Sequence, residues 1–265
     1  MVFTFNSTCI GASHLRNDKP CQDFSACWSS GNSAIIAVAD GHGSEECFRS
    51  DRGSRLAAKT ALQCLKDFIS KTNDRIPNPD SDLDSLENNI ITVWHEKIAD
   101  DVRKDFIEGD ILTPYGTTLL AAAMTEHYWF AVQIGDGKCV VIEKNREDED
   151  LDYRITQPVP WDERCFLNRT TSLCDKHAKN LFRHYYSETL PSAVFLGTDG
   201  IDNSFSPNNN REYLAEFYRN VFYNFINNGP DEGKTRFDEA LPLLTKKGSG
   251  DDVTVAGIIG NLTVV

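Results

Sequence analysis

SAIIAVAD, residues 33–40, followed at once by Gly41-His42-Gly43, decides the reading of this chain. The run is short, apolar and β-branched and stops at a glycine-containing turn, which marks a buried strand. Its last residue is a carboxylate. Asp-Gly is also the favoured hairpin dipeptide, but a hairpin needs a returning strand, and GHGSEE is not one. The same ending recurs in FAVQIGD before Gly137 and VFLGTD before Gly200, and a further apolar run, VTVAGII, starts just after Asp251 and Asp252. Four carboxylate-bearing corners could therefore converge. Asp199 leads into IDNSFSPNNN, again no strand, whereas Asp136 leads into KCVVIEK, so for Asp136 a hairpin explains the dipeptide as well as a ligand does. Short carboxylates fixed at strand ends offer oxygen to hard cations such as Mg²⁺ and Mn²⁺ with little entropy loss.

Outward from this strand, Ser54 to Ile69 repeats Leu56, Ala57, Ala61, Leu62, Leu65 and Phe68 at helical spacing. A second helix is expected from Leu86 to Phe106, after a Pro/Asp/Ser-rich connection. From Gly116 to Ile142 the pattern changes to GTTLLAAAM, HYWFAVQI and KCVVIEK, which reads as an antiparallel meander. Tyr213 to Ile226 reads as a helix, and Lys234 to Leu244 as a weaker one. Strand runs with inserted helices, without regular βαβ alternation, indicate an α+β layered domain. A chain of 265 residues suits one such domain over 1–265. The acidic run Glu147 to Asp152 reads as a solvated loop.

A net charge of −13 argues against broad nucleic-acid binding, which runs on clustered Lys and Arg, and suits cation capture. An anionic substrate then needs a local positive source, which bound metal supplies most simply. The eight cysteines are scattered without a CxxC pair and read as reduced thiols. No apolar run approaches the roughly 20 residues that span a bilayer. A cytoplasmic monomer without a membrane or nucleic-acid partner is expected.

With these motifs assembled, the chain resembles the metal-dependent protein phosphatase family, also called protein phosphatase 2C, and within it a bacterial type. The matching pieces stand in family order: CQDF, VADGHG, YGTTLLAAA, IGDGK, LGTDGIDN and GDDVTVAGI. The resemblance implies a central pair of antiparallel sheets flanked by helices, αββα, with two or three divalent cations, Mg²⁺ or Mn²⁺, at one end. It implies Asp40 bridging two metals, the Gly41 carbonyl on one of them, Asp199 and Asp251 completing the first site, and Asp136 holding a third. Asp23 is implied as a first- or second-layer ligand, and Asp252 stands where the family has Asn. The implied activity is hydrolysis of phosphoserine or phosphothreonine in a phosphorylated protein by a metal-activated water, without a phosphoenzyme. His42 is implied as the acid that protonates the leaving alkoxide.

Two departures qualify the match. Gln22 occupies the position of a metal-holding glutamate, and Asp18 that of the phosphate-binding arginine. His14, Arg16 and Lys19 are nearby candidates for the missing cation, with Arg favoured for its planar fork. These departures also allow a catalytically weak or silent module that binds metal or phosphopeptide as a regulatory partner. A zinc module on Cys165, Cys174, His177 and His184 fits no standard spacing. Asp80, Asp82 and Asp84 imitate a calcium loop but lack its glycine and terminal glutamate.

Overall fold

The computed structural model describes residues 2–72, 75–76, 78–144, 153–166 and 169–260, so the acidic run Glu147 to Asp152 lies outside the described residues. Among the described residues two five-stranded antiparallel sheets form. One joins β1 (Phe3–Cys9), β10 (Val253–Ile259), β9 (Ala193–Gly197), β6 (Lys138–Lys144) and β7 (Tyr153–Thr156) in that order. The other joins β2 (Asp23–Ser30), β3 (Ser33–Asp40), β4 (Leu119–Met124), β5 (Trp129–Ile134) and β8 (Arg183–Ser187).

Period-two alternation explains the layering, because β3 is buried on both faces. Ala34, Ile36 and Val38 pack with Leu120, Ala122, Val194, Leu196 and Ala256 between the sheets. Ile35, Ala37 and Ala39 face the other way, onto the helices α2 (Ser50–Thr72) and α3 (Pro79–Val102). The opposite sheet is covered by α5 (Asn210–Lys247), whose Leu214, Tyr218, Phe222 and Phe225 meet Phe5, Phe195 and Val255. The molecule is thus an αββα sandwich, as the sequence implied. Two short helices, α1 (Ala12–Arg16) and α4 (Asp199–Asp202), sit in its connections.

Three local expectations change. The meander breaks after β5: β4 and β5 pair antiparallel, but β6 pairs with β9 and β7 in the other sheet. Gly135, at φ 104°, makes that turn in a conformation other residues avoid. The second helix starts at Pro79, not Leu86, because proline is preset for a first helical turn and Asp80 and Asp82 complement the helix dipole there. Phe106 lies beyond its end, exposed. The two expected C-terminal helices are two arms of α5, joined at Gly229, where φ 78° and ψ 175° break the helical path ahead of Pro230.

Candidate metal centre

Antiparallel pairing brings the predicted aspartates to one end of the sandwich. Asp40 closes β3 and stands opposite Asp23, the first residue of β2. Asp136 lies in the turn between β5 and β6, Asp199 opens α4 directly after β9, and Asp251 precedes β10. Asp40, Asp136, Asp199 and Asp251 line a single cleft of about 820 Å³ together with His42.

The backbone around Asp40 is fixed on every side. Its N–H donates to Thr118 Oγ1 at 3.1 Å, and its carbonyl accepts from Thr118 N and Thr117 Oγ1, each at 2.8 Å. Gly41 follows, donating to the Gln22 carbonyl at 3.1 Å. A Cβ at Gly41 would lie 2.6 Å from the Ser50 carbonyl oxygen and 2.7 Å from that of Gln22, so only glycine lets the chain leave the strand here. His42 donates its N–H to the Gly116 carbonyl at 3.0 Å.

Burial, reinforced by crowding of like charge, sets the electrostatics. Burial, then Asp23, Asp199 and Asp251, push the Asp40 carboxyl far above the usual range, and it is hydrogen-bonded to Asp199. Burial, with Asp136 and Asp251 adding to it, raises Asp199 to about 6. Such a set is a poor arrangement for a protein alone and a good one for divalent cations, which replace shared protons as the neutralising charge. The donors are all hard oxygens, as Mg²⁺ and Mn²⁺ prefer. Burial lowers the pKa of His42, against the pull of Asp136 and Asp175.

Asp23 lies beneath the cleft. It is 6% exposed, accepts from Thr198 Oγ1 at 2.7 Å and is held well above its usual pKa by burial and by Asp252. Asp252 is equally enclosed, taking the Gly11 and Gln22 N–H groups at 2.6 Å each.

His14 and Arg16 are not brought into the cleft. His14 turns to the aspartates, with Nδ1 3.1 Å from Asp252 Oδ1 and Nε2 3.6 Å from Asp251 Oδ1. Arg16 ends α1, exposed. The cation that lines the cleft is Arg169, which the sequence reading missed. Its one signal was its position in the long aperiodic stretch between β7 and β8, since long loops in compact domains are commonly functional.

Among the described residues, one trio of His, Cys, Asp or Glu ligand atoms lies within 4.8 Å of one another: Asp84, Glu87 and His184, outside the cleft. No three of the cleft carboxylates meet that spacing among the described residues. Cys165, Cys174 and His177 join no such trio, which removes the basis for a zinc module. Asp80, Asp82 and Asp84 are helical residues of α3, not a calcium loop.

No curated protein matches the chain. Among solved structures, the catalytic domain of the serine threonine protein phosphatase PstP, in complex with two manganese ions, is 14% identical with a TM-score of 0.57, covering 97% of each chain. A bacterial serine phosphatase is 15% identical with a TM-score of 0.63, covering 98% of each. Serine/threonine phosphatase Stp1 from Staphylococcus aureus is 15% identical with a TM-score of 0.61, covering 98% of this chain and 96% of its own. At such identities these structures speak for the fold. The protein phosphatase 2C family profile matches residues 10–241, most of the length, and the chain therefore belongs to the protein phosphatase 2C family.

Proposed function

We propose that this metal-dependent serine/threonine protein phosphatase works at the aspartate cleft, with Asp40, Asp199, Asp251 and the Gly41 carbonyl holding two divalent cations, Mg²⁺ or Mn²⁺. Asp136 faces a third and weaker position, and Asp23 supports Asp40 from below. When bound, such cations would supply Lewis acidity and lower the pKa of a water toward neutrality. The convergence of Asp40, Asp136, Asp199 and Asp251 on one cleft carries this reading.

The chain's own groups do the rest. Thr117 and Thr118 fix the Asp40 backbone, so the strand end that carries this carboxylate needs little reorganisation during reaction. Arg169, on the cleft wall, takes the role of the absent clamp, pairing two phosphate oxygens through its planar fork. His42 carries the proton that the leaving serine or threonine oxygen needs, and its burial makes the protonated ring a stronger acid. The substrate is a phosphorylated protein, and the working unit is a monomeric single domain over residues 1–265. No helix among the described residues is long and apolar enough to cross a membrane.

Turnover of a phosphothreonine peptide with Mn²⁺ tests the reading. Asp40→Asn is expected to cut kcat at least about a hundredfold, the scale of losing a preorganised electrostatic group. Undetectable turnover by a wild-type protein that still binds Mn²⁺ would overturn it in favour of a silent metal-binding module.

A further inference from the structure

Behind the turn that carries Asp136 lies a second cavity, of about 280 Å³, sharing no lining residue with the catalytic cleft. Lys138, Arg183 and Arg211 line it, Trp161 forms one wall, and none of its lining residues is acidic. Three cations around one unacidic hollow are unexpected in a chain of net charge −13.

The Arg183 side chain is only 11% exposed, and its guanidinium donates to the carbonyls of Pro160 and Gly135. Its Nε is buried without a hydrogen-bond partner, the nearest carboxylate, Asp162, standing 3.9 Å away. Arg211, in the first turn of α5, pairs with no carboxylate among the described residues. Lys138 lies 3.9 Å from the Trp161 ring centre and 3.3 Å from Asp202.

We propose that this cavity binds a phosphate oxyanion, either free phosphate or the phosphate of a phosphomonoester, between Arg183, Arg211 and Lys138. Its volume admits a phosphate or a phosphoserine side chain and is small for a drug-sized ligand. The ligand couples to the metal centre through the intervening turn. Lys138 donates to the Asp136 carbonyl at 3.0 Å, Arg183 to that of Gly135, and Gln133 to those of Gly135 and Gly137 at 3.3 and 2.7 Å. An anion competing for Lys138 and Arg183 loosens that turn and with it the hold of Asp136 on a cation. By linkage, metal binding weakens the anion equally.

Calorimetric titration of inorganic phosphate and of O-phosphoserine into the full chain, with chelator and then with Mg²⁺, tests this. Without metal, the carboxylates of the catalytic cleft repel phosphate, so the binding read there belongs to the second cavity. One site is expected, retained in Asp40→Asn, and weakened about tenfold or more, the size of one lost charge-assisted contact, in Arg211→Gln and Arg183→Gln. Arg211 is exposed, so that variant keeps its fold even if Arg183→Gln does not. The tighter of the two ligands identifies the source of the phosphate. Binding by neither ligand without metal, or equal binding by Arg211→Gln and wild type, overturns the proposal. Either failure leaves the Asp40→Asn turnover test untouched.

Discussion

At the scale of single residues, Gln22 shows how a neutral side chain braces the loop beside the candidate metal centre. Its Nε2 donates to the His42 carbonyl at 3.0 Å and to Ser50 Oγ at 2.5 Å, tying the loop after Asp40 to the start of α2. A carboxylate at this position keeps the shape but has no hydrogen to give. Gln22→Glu therefore loses two donors while adding a charge beside Asp252, which the Gln22 backbone already contacts. The expected result is a loss of about 1–3 kcal/mol in urea unfolding of the metal-free protein, with tighter Mn²⁺ binding by calorimetry. Unchanged metal-free stability would show that the amide is not a strut. The contrast with His14 explains what was legible here. Sequence shows a side chain's chemistry but not its direction, and His14 does not line the cleft but pairs with Asp252, a buried carboxylate held by backbone N–H groups, and with the edge of the cleft at Asp251. The strand-end aspartates were legible because apolar runs announce where strands stop. Arg169 had no such flank, and only the folded chain reveals it at the cleft.

Among the elements, α2 positions the loop that carries His42 through one close approach. Gly53 lies against Tyr115, where an added Cβ would stand 2.0 Å from the Tyr115 carbonyl oxygen. The neighbouring Gly116 carbonyl holds the His42 N–H, and the Gly53 carbonyl accepts from Trp94 Nε1 at 3.2 Å on α3. Gly53→Ala must push backbone against backbone, so it is expected to cost about 1–3 kcal/mol, the usual scale of overpacking. It is also expected to lower kcat more than it raises KM, because His42 shifts with Gly116. Thermal unfolding and steady-state kinetics check both, and a stability loss with unaltered kcat would sever the link from α2 to His42. Element identity was largely readable from sequence, with β3 predicted over its observed Ser33–Asp40 span. Pairing was not, because the continuous apolar run of β6 says that the strand is buried without saying in which sheet. The turn at Gly135 settles that question, and it looks in sequence like any hairpin glycine.

Across the whole molecule, the fold holds together a set of carboxylates that repel one another, and β10 is central to it. The family profile ends at residue 241, before Asp251 and β10, yet β10 pairs with both β1 and β9 and carries Asp251 to the cleft. Stability must then depend on what neutralises the cluster. Asp199 has a folded pKa of about 6, above its value of 3.8 when unperturbed. Folding therefore takes up a proton at this group, so its contribution is fully present below about pH 4 and is lost as pH rises through about 6. In chelator, the wild-type protein is expected to lose stability over that window, while Asp199→Asn is flatter with pH and more stable at pH 7. A shift of two units corresponds to about 3 kcal/mol at most, and coupling to Asp40 spreads it over the pair. Mg²⁺ should reverse the order at pH 7, raising the urea midpoint of the wild type and leaving that of Asp199→Asn nearly unmoved. Urea titrations at several pH values, with and without Mg²⁺, read all of this. A wild type whose metal-free stability rises through pH 6 would show that the carboxylates do not repel as their arrangement implies.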